Sequence, residues 1–374
     1  PTPTSLQEDA LKVLSQSRLK GHHKALVIMA TGLGKTFLAA FDVYQYMQDR
    51  STQRDVRICF LVHRQEILRQ AADCFRRLFP YISFGFYMEN REDTDCDFLF
   101  ASVQKLHRNL HVFSPNHFDY IIIDEVHHAA AKTYRKILSH FQPDFLLGLT
   151  ATPQRSDHED IATLFDNHIP FVANLGEGIE LNLLTPFHYI GRVDTTDFQP
   201  IAMNGRNFEE NALNRAICTE DRMSQIFELW NSHPADTTLI FCNSIRHADF
   251  VCTWLKSQGI VVESVHSGEL SAEREYTIDR LSSGELDALC VVDLFNEGID
   301  IPSIDRIIML RPTSSPTVFL QQLGRGLRKF PNKEYVTVLD LVGNHRVFLE
   351  RLDTILSLGP TKTDLYHFLH GNKK

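Results

Sequence analysis

The sequence predicts an α/β protein made of two parallel-sheet domains, and three observations carry that prediction. Its 374 residues suit two domains at roughly 100 to 200 residues each. Short β-branched or aromatic runs alternate with stretches of helical period through the whole chain, the pattern of parallel α/β architecture. Apolar residues make up 43% and charged residues 23%, enough for two buried cores and too apolar for wholesale disorder.

Near the N-terminus, Ser5-Leu6-Gln7-Glu8 has the S-x-x-E spacing of a capping box and predicts a helix start. Strands are predicted over Leu26–Met29, Ile58–Val62, Phe98–Ala101, Tyr120–Asp124 and Phe145–Thr150. Each is followed by polar or small residues, at the end where open parallel sheets hold their ligands. A second series, Thr238–Phe241, Val261–Val265, Ala288–Val292, Arg306–Leu310 and Tyr335–Leu339, predicts the second domain. Residues 174 to 205 carry scattered Gly and Pro with little helical period, which places the junction near Thr185-Pro186. The division is therefore 1–185, 186–350 and a C-terminal extension over 351–374 that reads as a trailing helix.

Charge narrows the partners. Lys and Arg number 38 against 47 Asp and Glu, a net −9, so no basic coat covers the surface and a polyanion must bind in a local groove. The longest apolar run, Ala25 to Ala30, falls far short of the ~18 residues that cross a bilayer, and no signal-peptide pattern opens the chain. The expectation is a soluble, cytoplasmic protein with no membrane partner. Seven cysteines without a C-x-x-C pair, mostly within apolar runs, read as reduced core thiols. A start at Pro1 rather than Met reads as a fragment or processed form.

Three motifs carry chemistry. Met29-Ala-Thr-Gly-Leu-Gly-Lys-Thr36 closes a predicted strand and opens a predicted helix, the context of a phosphate cradle. Gly32 and Gly34 let backbone N–H groups curl around an anion, Lys35 supplies a point charge from an exposed side chain, and Thr36 offers a hydroxyl to Mg²⁺. The pattern departs from G-x-x-x-x-G-K-[ST] at Met29, and alone it also suits a glycine-rich turn with an exposed lysine. Second, Asp124 and Glu125 end a strongly apolar strand. Asp124 could ligate Mg²⁺ and Glu125 could take a proton from water, or the pair could be a solvated acidic turn. His127 and His128 lack the spacing of a metal site and read as hydrogen-bonding neighbours. Third, Gln321-Gln-Leu-Gly-Arg-Gly-Leu-Arg328 sets two arginines three apart, on one face of a helix, where they could neutralise γ-phosphate charge or simply form a surface turn.

Read together, these segments resemble the superfamily 2 helicases and translocases. Gln7 resembles the adenine-reading glutamine, 29–36 motif I, Leu61–Leu68 motif Ia, Ala101–Leu106 the adjacent nucleic-acid motif, 124–127 the DExH form of motif II, and Leu149–Pro153 motif III. Leu239–Asn243, Asn296–Pro302 and Gln321–Arg328 are similar to motifs IV, V and VI. The wording of motifs V and VI is most like the motors of type I and type III restriction enzymes and bacterial nuclease-fused helicases; Val292 and Gln322 depart from frequent Thr and Arg.

The resemblance implies two tandem RecA-like domains, the first with motifs Q, I, Ia, II and III and the second with IV, V and VI. It implies ATP and Mg²⁺ in the cleft between them, held by Gln7, Thr31, Gly32, Gly34, Lys35, Thr36, Asp124, Gly298 and Asp300, with Thr36 and Asp124 on the metal. Lys35, Glu125, Arg325 and Arg328 would be catalytic, while Arg64, Ser102 and Gln104 would contact nucleic acid, DNA more readily than RNA. A nuclease or specificity module could accompany such a motor. The other reading is an ATP-gated nucleic-acid-binding subunit of a restriction or repair complex that does not unwind. A GTPase is disfavoured because Asn332-Lys333 is not followed by x-Asp.

Overall fold

The computed structural model describes residues 1–49, 56–126, 131–151, 161–205, 207–292, 301–312 and 315–343. They form two compact units, divided between Asn174 and Leu175.

The first unit runs α1 (Ser5–Leu19), β1 (Lys24–Met29), α2 (Lys35–Asp49), β2 (Ile58–Val62), α3 (Gln65–Arg76), β3 (Phe84–Met88), β4 (Arg91–Glu92), β5 (Phe98–Ser102), α4 (Val103–Arg108), β6 (Tyr120–Ile123), α5 (Ala131–His140), β7 (Phe145–Thr150) and β8 (Phe171–Ala173). Its eight strands lie in the order β4-β3-β5-β2-β6-β7-β1-β8, all pairs parallel except β3 with β4. Every residue of β2, β5, β6 and β7 is buried, as expected of parallel strands covered on both faces.

Two devices fix the helices that serve the loop ends of this sheet. Phe75 of α3 packs on Phe60 and Phe100, ring centroids 5.7 and 5.5 Å away, and so seats the helix that Arg64 begins. Arg18 of α1 donates from Nη1 to both oxygens of the fully buried Asp42 on α2, at 2.9 and 2.7 Å, and the Tyr120 hydroxyl of β6 donates to the same carboxylate. Truncating one partner of such a buried pair costs about 3–5 kcal/mol, so α1 is held firmly against α2 and β6. The capping box forms one residue earlier than the sequence spacing suggests: Thr4, not Ser5, is the N-cap, and Gln7, not Glu8, closes the box.

The second unit runs α6 (Leu175–Glu180), β9 (Phe187–Val193), β10 (Met203–Asn204), β11 (Asn207–Phe208), α7 (Glu210–Ile217), α8 (Glu220–Ser232), β12 (Thr238–Phe241), α9 (Ile245–Ser257), β13 (Val262–Val265), α10 (Arg274–Ser282), β14 (Ala288–Val291), β15 (Arg306–Met309), α11 (Pro316–Gly326) and β16 (Val336–Val342). Six strands form a wholly parallel sheet, β13-β14-β12-β15-β16-β9, and β10-β11 is a separate hairpin. Residues 175–185 go with this unit, ahead of the junction expected at Thr185-Pro186, because Leu184 bridges Arg328 and the Thr185 N–H donates to the Leu327 carbonyl at 2.7 Å. The extension over 351–374 lies outside the described residues.

Arg306 opens β15 inside this core. Its guanidinium lies 3.6 Å over the Trp230 ring and donates to the Trp230 and His233 carbonyls at 3.1 and 2.7 Å, capping the end of α8. Burial pushes its pKa down to about 10.

The core also sets an acid limit. His247 on α9 is fully buried, and its Nδ1 accepts the Asn243 N–H at 3.2 Å, which leaves the ring proton on Nε2. Burial, with Arg222 nearby, holds its pKa well below 6.5. Below about pH 6.5 the unfolded chain therefore binds a proton that the folded chain refuses, and stability falls by up to about 1.4 kcal/mol per pH unit. Denaturant unfolding between about pH 7.5 and 5.5 should show that slope, flattened in His247→Asn; an equal slope in both would acquit His247.

Candidate nucleotide-binding site

The glycine loop grows from β1 because that strand is buried while the residues after Met29 must turn sharply. Gly32 and Gly34 sit at φ 92° and 84°, a region that other residues enter only with strain. The Leu38 N–H donates to the Gly34 carbonyl at 3.0 Å, so α2 begins directly out of the loop. Gln7 reaches the loop from α1. Its Oε1 accepts the Thr4 N–H at 2.9 Å and its Nε2 donates to the Gly34 carbonyl at 3.0 Å. Glycine is favoured here by its conformation, and a Cβ on Gly34 would lie 2.6 Å from that Nε2, so a larger residue would also displace the Gln7 amide.

Motif II meets the loop across one strand. β7 is hydrogen-bonded to β1 on one side and to β6 on the other, which sets the carboxyl ends of β1 and β6 on either side of Thr150. Asp124, 4% exposed, donates its N–H to the Leu61 carbonyl at 2.9 Å and accepts the Glu125 N–H at 2.9 Å. Glu125 holds φ 51°, a left-handed conformation costing on the order of 1 kcal/mol or more in a non-glycine residue. This bend aims Glu125 Oε1 to within 3.9 Å of Lys35 Nζ.

Lys35 is not exposed, contrary to the expectation from sequence. Only 9% of it is accessible, because its ammonium folds back to donate to the Met29 carbonyl at 3.1 Å and faces Glu125. Thr31 is buried in the loop and Thr36 half-buried at the start of α2. His127, His128, Thr152 and Pro153 lie outside the described residues.

The nucleic-acid candidates gather at neighbouring strand ends. β2 and β5 pair with Val62 opposite Ser102, so Arg64 and Gln104 follow adjacent strands. Gln104 Nε2 lies 3.0 Å from the His63 ring, a contact the sequence did not single out and that only the β2–β5 pairing creates. Ser102 is 2% exposed, and its hydroxyl accepts the Lys105 N–H at 3.3 Å as the N-cap of α4. That capping role withdraws it from the surface.

In the second unit the two arginines of motif VI are placed differently. Arg325 lies buried in the last turn of α11, but the helix ends at Gly326 and Arg328 follows it in an extended bridge to Leu184. They do not share a helix face as the three-residue spacing suggested. Glycines at 324 and 326 weaken the helix, and the bridge to Leu184, with Thr185 Oγ1 donating to the Arg328 carbonyl at 3.2 Å, captures the chain beyond it. Gly298 and Asp300 lie outside the described residues.

Comparison with known proteins matches both units. Residues 1–155 match the family model for the type III restriction enzyme res subunit, and 220–329 match the helicase conserved C-terminal domain. The chain belongs to superfamily 2, in the restriction-motor group. Among relatives of this superfamily 2 chain, IRC3 of Saccharomyces cerevisiae, named as a putative ATP-dependent helicase, is 29% identical over 96% of this chain and 54% of its own length. The EcoAI type I restriction endonuclease subunit of Escherichia coli is 25% identical over 95% and 48% respectively. A fragment of a putative HsdR subunit of a type I restriction enzyme from Vibrio vulnificus superposes with TM-score 0.71 at 26% identity, covering 91% of this chain and 64% of that one. The chain thus spans about half the length of the first two relatives. Dbp5 of S. cerevisiae, at TM-score 0.68 and 16% identity over 96% of this chain and 88% of that one, shares the fold, and both units are RecA-like. No helix among the described residues is long and apolar enough to cross a membrane.

Proposed function

We propose that this superfamily 2 chain is a nucleic-acid-dependent ATPase that converts hydrolysis into movement along a strand, with DNA the preferred polymer. The observation that carries the reading is the 3.9 Å approach of Lys35 Nζ to Glu125 Oε1, which sets a phosphate-facing cation and a carboxylate base at the mouth of one glycine loop. Arrival of a nucleotide gives Lys35 a stronger partner than the Met29 carbonyl, and Glu125 is then released to accept a proton from the attacking water. Gln7 ties the loop to α1 and, in this reading, recognises the base. Thr36 and Asp124 supply a hydroxyl and a buried carboxylate, hard oxygen donors that fit Mg²⁺, and no cluster of three or more His, Cys, Asp or Glu among the described residues suggests another metal. Bound there, Mg²⁺ would neutralise phosphate charge.

In this reading Arg325 and Arg328 act on the nucleotide held by the first unit, and Gly298 and Asp300 contribute to its binding. Arg64 and Gln104 contact backbone phosphates, favouring little sequence preference. DNA is preferred because several relatives are named as restriction-enzyme subunits and one as a DNA translocase. A nuclease or specificity module would account for the additional length of the restriction relatives.

The deciding measurement is ATPase stimulation by single- and double-stranded DNA and RNA at one salt concentration, since salt alone shifts such affinities by orders of magnitude. Stimulation by DNA is expected; stimulation by RNA alone would overturn the choice of polymer, and no stimulation by either would overturn the motor. Glu125→Gln sharpens the assignment. The amide keeps the side chain's shape and leaves Asp124 for the metal, so nucleotide binding should persist while turnover drops by about 10²-fold or more. A folded Glu125→Gln protein unable to bind nucleotide would make this residue structural.

A further inference from the structure

The second unit holds a lysine that the motif reading left unused except to dismiss a guanine motif. Phe330-Pro331-Asn332-Lys333 makes a tight turn in which the Lys333 N–H donates to the Phe330 carbonyl at 3.1 Å. Asn332 takes φ 64°, and Pro precedes it, the combination of a type II turn. The turn throws Lys333 back beneath the end of α11. There Nζ donates to the carbonyls of Gly326, Pro302 and Ile304, at 2.8, 2.6 and 3.0 Å.

The three acceptors come from two motif segments. Gly326 is the last residue of α11, one beyond Arg325, and its carbonyl is an orphan at the negative end of the helix. Pro302 ends motif V, just downstream in sequence from Asp300, and Ile304 leads into β15. All three ammonium protons are consumed, one on motif VI and two on the exit of motif V. The two segments also touch directly: a Cβ on Gly326 would lie 2.6 Å from Ile307 Cδ1 and 3.5 Å from Ile304 Cγ2. Motif VI therefore approaches as closely as glycine permits, and the ammonium locks it there.

We propose that Lys333 is a positioning residue that clasps the end of the motif VI helix to the segment leaving motif V, so that Arg325 and Arg328 are presented in a fixed geometry. The inference rests on the assignment of those residues to the nucleotide. Burial pulls the ammonium down to about pKa 8, Lys329 adding to this and Asp305 opposing it, so its retention in a half-buried site comes at a cost that the three carbonyls offset. A surface lysine with a purely solvent role would not accept that cost.

The test is steady-state, DNA-stimulated ATPase of the wild type, Lys333→Met, Lys333→Gln and Lys333→Arg, each below its melting temperature and corrected for the folded fraction. Loss of the clasp should lower kcat at least about tenfold in the Met variant, with KM for ATP within about twofold because the first unit's loop is untouched. Gln, with two amide donors, should fall between, and Arg, which keeps the cation and several donors, should recover more than Gln. If the Met variant does not fold, the Gln variant bears the comparison. A folded Met or Gln variant with unchanged kcat overturns the clasp while leaving the ATPase assignment standing. A wild type without nucleic-acid-stimulated turnover overturns the assignment and the clasp with it.

Discussion

Lys35→Ala should bring ATP turnover down by about 10³-fold or more, to near the detection limit. The loop would keep its N–H groups but lose the Lys35 ammonium, and deleting one preorganised charge from such a site costs about 10²–10³ by itself. Because Lys35 is buried against Met29 and Glu125, the variant also removes the ammonium that donates to the Met29 carbonyl and faces the Glu125 carboxylate. A modest loss of stability, about 1–3 kcal/mol, is expected alongside. Lys35→Met, which retains the apolar stem, separates the two effects: it should melt closer to wild type and remain as inactive as the Ala variant. Turnover like the wild type in a folded Lys35→Met protein would remove the phosphate-binding assignment.

Arg328→Ala should lower hydrolysis by about 10³-fold at least, the low end for a lost arginine finger, with nucleotide affinity little changed. The backbone of Arg328 is anchored independently of its guanidinium, through the bridge to Leu184 and the hydrogen bond from Thr185. Arg325 is buried in α11, and its truncation would be expected to disturb packing as well. Saturating DNA should not restore the rate, and Arg328→Lys should recover little, since an ammonium lacks the planar fork that spans two phosphate oxygens. Steady-state ATPase with and without DNA, beside nucleotide binding by fluorescence, checks both. Undiminished DNA-stimulated turnover in Arg328→Ala would show that this arginine is not a finger.

The sequence disclosed the strands that form the sheet interiors, and physical reasons explain the others. Ile58–Val62 and Thr238–Phe241 are continuous apolar runs buried on both faces, and both were placed to the residue. Phe187–Val193 is an edge strand with only Tyr189 buried, interrupted by His188, Gly191 and Arg192, and it resembles a linker until β16 pairs with it. At the N-terminus, Thr4-x-x-Gln7 and Ser5-x-x-Glu8 spell the same box, and the winner is the one whose glutamine also hydrogen-bonds Gly34, twenty-seven residues away. The burial of Lys35 is a similar case, since Glu125 approaches it only through the pairing of β1 and β6 with β7. The bridge that pulls Arg328 off the helix axis depends on Leu184, which no spacing rule connects to motif VI. The local patterns thus named the residues of the candidate site, while their relations to one another come from sheet pairing.

The stacking of Arg306 on Trp230 has a practical corollary. The chain contains two tryptophans, Trp230 and Trp254, and both belong to the core of the second unit. Excitation at the red edge of protein absorption therefore lights one unit and leaves the other dark. An emission-detected melt follows the second unit alone, with the guanidinium over Trp230 expected to report its release as a change in intensity. Circular dichroism weighs both units, so a gap between the optical and the dichroic midpoints would measure how independently the two units come apart.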